Sequence, residues 1–299
     1  MDSDDASRTT RADGRMVLRR AGPASYIALG DSFTEGLDDR NPDGSFRGWA
    51  DLVAAELAGR TPGFRYANLA VRGRRLAHVR DQQLPRAEAM RPALVTVAAG
   101  GNDILGIACD VPEVARGLHD LLARLVGTGA VVVVFTGFNP TGRLPLGGRI
   151  AARAAQYNVA VRASAAQLGV VVVDLWDLPG LYRDRMWAPD RLHLSADGHA
   201  LVAVAVLHAL GADVAVQQVD PAQSDVRRPW TSAVRSDVDW ARRYFAPWLH
   251  RQLRGRSAGD LVDPKRPELT PLPPTAPEQR RRPREDVGAA APDRAGCSG

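Results

Sequence analysis

Five short apolar runs, each closed by a turn-forming residue, constrain this chain more than any other feature. They span residues 25–29, 65–69, 93–99, 130–135 and 170–175, each rich in Val, Ile, Leu or Ala. Runs that are apolar at nearly every position suit strands buried on both faces, as in a parallel sheet. Between them, apolar residues recur at helical spacing. Trp49, Leu52, Val53 and Leu57 form one stripe, and Val114, Leu118, Leu121, Leu122 and Leu125 a second. Ile150, Ala154, Tyr157, Val161 and Leu168 form a third, and Leu201, Val204, Leu207 and Leu210 a fourth. Strand and helix alternate, so the expected architecture is a right-handed βαβ sheet with helices on both faces.

In open sheets of this kind ligands bind at the carboxyl edge of the strands. The residues with useful chemistry fall at that edge. The first run stops at Gly30-Asp31-Ser32. A serine hydroxyl is a weak nucleophile until a neighbouring base takes its proton. The alternative role for Ser32 is a helix N-cap, since Glu35 stands at capping-box spacing. The segment is not a G-x-S-x-G elbow, because Thr34 occupies the second Gly position. The third run stops at Gly100-Gly101-Asn102-Asp103. An asparagine amide there can donate to a developing oxyanion, although the same four residues make a strong turn. Gly73, after the second run, offers a further backbone N–H or simply a turn into a helix.

Downstream, Asp190-Arg191-Leu192-His193 lies in a loop before the last helix, which Ser195 is placed to cap. An Asp three residues before a His can accept its Nδ1–H, fix the tautomer and leave Nε2 facing a hydroxyl. A metal site from Asp190, His193 and His199 lacks a second cluster of ligands at useful spacing. Ser, Gly, Asn and Asp/His on separate turns together supply the parts of an activated serine nucleophile.

Composition narrows the setting. The chain has 299 residues, 39 basic and 34 acidic, for a net charge of +5 spread along its length. That balance singles out no polyanionic partner, and Arg280-Arg281-Arg282 reads as a solvated run rather than a nucleic-acid arm. Two cysteines, Cys109 and Cys297, give no disulfide framework and suit a reduced compartment. Residues 1–20 contain no apolar signal core, and no stretch is apolar enough to span a membrane. A cytoplasmic protein is the expectation. Residues 1–23 are expected to be disordered, and an ordered domain to span 24–211. Residues 212–262 read as a polar connection and then an amphipathic helix at 238–254 with Trp240, Tyr244, Phe245, Trp248 and Leu249. That helix is expected to pack on the domain, with a membrane-surface or partner role as the alternative. From 263 to 299 Pro, Arg, Ala and Glu dominate, a composition expected to stay disordered.

With these residues in place the chain resembles the SGNH hydrolases, the GDSL-type lipases and esterases. That family is named for Ser, Gly, Asn and His in four sequence blocks. Ser32 sits in the first block, with Phe33 where Leu is frequent. Gly73 fits the second, with Arg74 where a small hydroxyl residue is common. Asn102 fits the third, and Asp190 with His193 the fourth. The blocks occur in order over residues 24–211. The resemblance implies a flavodoxin-like three-layer α/β/α sandwich with a five-stranded parallel sheet of order 2-1-3-4-5. It also implies ester hydrolysis through an acyl-enzyme, without metal or cofactor. Ser32 would be the nucleophile, His193 the base and Asp190 its orienting carboxylate. The Ser32 N–H, the Gly73 N–H and the Asn102 side chain would hold the oxyanion. Small acyl esters, acetylated sugars and lysophospholipids are the expected small-molecule substrates, because no lid-like apolar insertion separates the blocks. An acyltransferase with the same residues, or an inactive binding module acting through the C-terminal helix, are the alternatives.

Overall fold

The computed structural model describes residues 11–12, 15–16, 22–106, 108–141, 143–144, 147–212, 239–247 and 257–274. Strand β1 (Ser25–Gly30) leads through a helical turn at Ser32–Glu35 to α1 (Gly48–Ala58). β2 (Arg65–Asn68) leads to α2 (76–90), whose middle widens into a π-type turn at Val79–Gln83. β3 (Leu94–Ala98) leads through a turn at Gly101–Ile104 to α3 (Val111–Gly127). β4 (Val131–Phe135) precedes α4 (Gly147–Leu168), and β5 (Val171–Val173) precedes α5 (Ala196–Ala209). A last strand, β6 (Arg266–Pro271), closes the described chain.

The sheet order is β5-β4-β3-β1-β2-β6. The first five strands are mutually parallel, in the order expected, and β6 joins the β2 edge antiparallel. Side chains on successive strand positions enter opposite layers. Tyr26 and Ala28 of β1, with Val133 and Phe135 of β4, meet Trp49, Val53 and Leu57 of α1 and Val202 and Val206 of α5. Ile27 and Leu29, with Val132 and Val134, meet α2, α3 and α4 through residues such as Leu84, Leu121, Leu122 and Val161. Both strand faces are therefore covered, which is why the runs lack polar alternation. Each fully buried Leu, Val or Phe contributes roughly 1.5–3 kcal/mol relative to exposure.

Three elements differ from the sequence expectation. The buried face of α5 carries His199, Val202, Ala203, Val206 and Leu207; of the expected stripe Leu207 and Leu210 are buried, whereas Leu201 and Val204 are half-buried. That helix is apolar almost all round, so spacing alone does not select a face. Residues 76–90 form α2, a helix that the apolar spacing of the sequence does not announce. Order was not expected from residue 263 on, yet 266–271 is a strand, which gives the sheet six strands rather than five. An edge strand needs backbone partners and little buried area; Leu269 alone of the six residues is buried. Prolines such as Pro267 and Pro271 are tolerated at an edge.

Of the tails, Arg11–Ala12 pairs with Arg15–Met16 as a two-residue antiparallel ladder. Residues 239–247 are helical, with a π-type turn at Ala241–Phe245. The polar connection at 213–238, Trp248, Leu249 and the chain after 274 lie outside the described residues. Among the described residues no helix is long and apolar enough to cross a membrane.

Candidate active site

β1 ends where its backbone must pass close to β3. A Cβ at Gly30, whose φ is 151°, would lie 2.5 Å from the carbonyl oxygen of Ala98. Only glycine fits there. Gln83, on the π-type turn of α2, brackets that peptide. Its Nε2 donates to Gly30 O at 2.8 Å, and its Oε1 accepts from Gly30 N–H at 2.9 Å. The buried Gln83 thus fixes the strand end that presents Asp31 and Ser32.

Asp31, not Ser32, caps the helical turn. Its Oδ1 accepts from Phe33 N–H at 3.0 Å. Glu35 does not close a capping box either; its carboxylate accepts from the N–H and guanidinium of Arg72. The Ser32 hydroxyl is thereby released from a capping role and meets His193 Nε2 at 2.9 Å. Phe33 packs against Trp49 and Phe135, with centroids 5.6 Å from each. A larger apolar residue at this position fills an aromatic cluster beside the serine.

The other nitrogen of His193, Nδ1, lies 2.5 Å from Asp190 Oδ2. Asp190 Oδ1 accepts from the N–H groups of Leu192 and His193, both at 3.0 Å. With Nδ1 protonated towards Asp190, Nε2 is an acceptor for the serine hydroxyl. A second carboxylate, Asp38, stands 3.6 Å from Nδ1. Burial pushes the His193 pKa down, but the hydrogen bond and charge of Asp190, with Asp38 and Asp31 behind it, outweigh burial and hold it above 6.5. For Asp190, burial pushes upward and the bonds to His193 win, so its carboxyl stays below the usual range. Asp31 is pushed up to about 6, chiefly by burial.

Asn102 faces the same cleft as Ser32 and His193. Its amide nitrogen donates to Asp31 Oδ2 at 2.9 Å and to Arg74 O at 3.0 Å. Asp103 accepts from Leu76 N–H at 2.9 Å and so caps the start of α2 rather than the segment that follows it. Gly73 has φ 71° and lies against Ser257 and Ala258 on the turn next to Arg74. It does not line the cleft. The structure thus joins Ser32, His193 and Asp190 in one hydrogen-bonded chain, sets Asn102 beside it, and leaves Gly73 on the adjoining turn.

His199 joins no metal set with Asp190 and His193. Its Nδ1 accepts from Trp49 N–H at 3.2 Å and its Nε2 donates to Leu37 O at 3.0 Å. Among the described residues, Asp38, Asp190 and His193 do bring three ligand atoms within 4.8 Å of one another. The Nδ1 of that group is already engaged by Asp190.

The cleft encloses a cavity of about 130 Å³. Beyond Ser32, Asn102 and His193 its walls are mostly apolar, with Leu105, Phe135, Phe138, Ile150 and Leu175 prominent. Tyr157 forms part of the floor and donates to Ala99 O at 3.0 Å.

A model of the GDSL-like lipase/acylhydrolase family matches residues 28–201, more than half of the chain. The chain belongs to the GDSL-like lipase/acylhydrolase family. It is an esterase of the SGNH type. A search of curated proteins returned no match. Solved structures share the fold. A catalytic mutant of Axe2, an acetylxylan esterase from Geobacillus stearothermophilus, is 22% identical, with TM-score 0.53, over 64% of this chain and 95% of that one. LAE5, an α/β hydrolase enzyme from the metagenome of Lake Arreo, is 22% identical with TM-score 0.54, over 63% of this chain and 95% of its own. TesA is 23% identical with TM-score 0.52, over 62% and 97%. The segments 239–247 and 257–274 lie beyond the family match.

Sequence reasoning missed Gln83 and Asp38. Neither stands in a motif; a lone Gln in a helix and an Asp in a turn carry no signal of their own.

Proposed function

We propose that this esterase hydrolyses carboxylic esters through an acyl-enzyme formed on Ser32. One observation carries the reading: the chain Ser32 Oγ to His193 Nε2 at 2.9 Å and His193 Nδ1 to Asp190 Oδ2 at 2.5 Å. Ser32 Oγ attacks the ester carbonyl while its proton passes to Nε2. Asp190 stabilises the imidazolium and keeps the ring aimed. The tetrahedral intermediate collapses as His193 returns the proton to the leaving alcohol. A water then loses a proton to Nε2, attacks the acyl carbonyl, and Ser32 leaves with the proton that His193 gives back.

The oxyanion is held by the Ser32 N–H and the Asn102 side chain, the two donors of the expected set that face the cleft. The Ser32 N–H belongs to the first turn of a helical segment, where backbone donors lack an intrahelical acceptor. The Asn102 amide serves by sharing with the oxyanion the N–H it otherwise gives to Asp31. A donor aimed at developing charge in a desolvated cleft is worth more than one aimed at the ground state.

The apolar walls favour an acyl group longer than acetyl. Each methylene buried there adds about 0.8 kcal/mol, close to fourfold in kcat/KM. The test is a series of p-nitrophenyl esters from two to ten carbons, with acetylated sugars alongside. A rising kcat/KM over the first several methylenes supports this reading. A maximum at acetyl, with acetylated sugars as good substrates, would reverse it. Labelling of Ser32 by a fluorophosphonate, lost in Ser32→Ala, tests the nucleophile separately.

A further inference from the structure

The loop that carries Asp190 and His193 closes on itself. Ala188 N–H donates to His193 O at 2.8 Å, and Arg191 N–H to Ala188 O at 2.9 Å. The turn requires Arg191 to adopt left-handed backbone, with φ 63°. A residue with a Cβ is strained there and stays only when its surroundings hold it. Trp240 supplies a hold. Its indole N–H donates to the carbonyl of Asp190 at 2.8 Å, and its side chain is buried. The Arg191 guanidinium lies 5.1 Å from the centroid of the Trp240 ring, within cation–π range. The first contact falls on the peptide between Asp190 and Arg191, and the second holds the Arg191 side chain that follows it. Trp240 comes from a segment 50 residues further along. That segment lies beyond the family-matched residues.

We propose that Trp240 is a positioning residue for this active site, its indole N–H holding the Asp190 peptide so that the carboxylate stays aimed at His193 Nδ1. Fixing that carbonyl fixes the two torsions on either side of the peptide. Those torsions set where the N–H groups of Leu192 and His193 point, and both groups steer Asp190 Oδ1. Without the indole donor, the left-handed Arg191 can relax, and the Asp190–His193 bond loosens. The inference rests on reading Ser32, His193 and Asp190 as the catalytic set.

The test compares Trp240→Phe with the wild type in the full chain. Phenylalanine keeps an aromatic ring under Arg191 and removes the N–H together with part of the buried indole, so the readouts must separate aim from packing. Two readouts go beyond packing. The first is the titration midpoint of the His193 imidazole, followed by nitrogen NMR of labelled histidine. The charged groups facing that ring are Asp190, Asp38 and Asp31, with Arg40 and Arg72 behind Asp38 and His199 nearby. None of them changes in W240F. The second readout is the split between kcat and KM.

W240F should move the midpoint down towards 6.5, lower kcat about tenfold and leave KM within about twofold, the pattern expected when aim rather than binding is lost. A W240F enzyme with a lower melting temperature but unmoved midpoint and kcat would show that Trp240 only packs. If W240F does not fold, replacing Trp240 by benzothienylalanine carries the test, since it keeps a bicyclic ring under Arg191 and lacks the N–H that Asp190 O accepts. Its midpoint should shift in the same direction, and an unmoved midpoint overturns the proposal. Fluorophosphonate labelling of the wild type separates two failures. Label on a residue other than Ser32 sinks the catalytic reading; label on Ser32 with an unmoved midpoint in W240F sinks only the role of Trp240.

Discussion

Acid should unfold this protein partly through one buried imidazole, His199. The ring is 1% exposed and wedged between Trp49 N–H, which it accepts, and Leu37 O, to which it donates. A proton added at Nδ1 would face the Trp49 N–H and remove its acceptor. Burial accordingly depresses the pKa to about 4, against a partial upward pull from Leu37 O and Asp39. In the unfolded chain the same group titrates near 6.5. The unfolded state therefore takes up the proton first as pH falls. The stability that neutral His199 contributes is fully present above 6.5 and is lost as pH drops from there towards 4. At about 1.4 kcal/mol per unit, moving from pH 7 to 4.5 should cost roughly 2–2.5 kcal/mol through this residue. Asp31 and Asp51, whose pKa values are raised mainly by burial, act in the opposite sense. The effect must be read as a difference. Urea denaturation of the wild type and of His199→Gln at both pH values gives it, because Gln keeps an acceptor and a donor but does not titrate. The wild type should lose about 2 kcal/mol more than the variant over that interval. Equal losses, within about 0.5 kcal/mol, would refute the argument.

Further outcomes follow from the same geometry. Ser32→Ala should lower kcat by on the order of 10⁶ while leaving the melting temperature nearly unchanged; residual activity of a few per cent would remove Ser32 as nucleophile. Asn102→Ala should lower kcat by about 10²–10³ with a small change in KM, and a raised KM at constant kcat would assign it to ground-state binding. Asp190→Asn should shift the acid limb of the kcat/KM profile downward, because Asp190 is what holds the His193 pKa up; a limb that stays put would mean that Asp38 or another group sets it. Ending the chain after Val262 removes β6, the burial of Leu269 and the Lys265–Asp51 ion pair at 2.9 Å. Losing those contacts should cost about 2–4 kcal/mol, seen as a lower melting temperature, whereas an unchanged one would show that β6 adds nothing to the fold.

The sheet and the placement of Ser32 and Asn102 at its edge were legible in the sequence for one physical reason. Parallel strands buried on both faces must be continuous apolar runs, and the turns that end them need Gly, Asp, Asn or Ser. Runs at 25–29 and 93–99 thus announced both the strands and the turns bearing Ser32 and Asn102. The pieces that aim those atoms left no such trace. Gln83 grips the end of β1 by two hydrogen bonds from a helix with no clean stripe. β6 adds to the sheet through its backbone and a single buried side chain, so its composition looks like that of a tail. α5 is apolar on most sides, and only its packing on α1 decides which face is buried. Trp240 touches Asp190 across 50 residues with one N–H. Periodicity reports what an element buries; it is blind to a single donor brought from far along the chain. The two kinds of residue should therefore separate by experiment. Changes at Ser32 or His193 should abolish turnover at every pH. Changes in the residues that aim them should leave turnover in place and move its pH dependence instead.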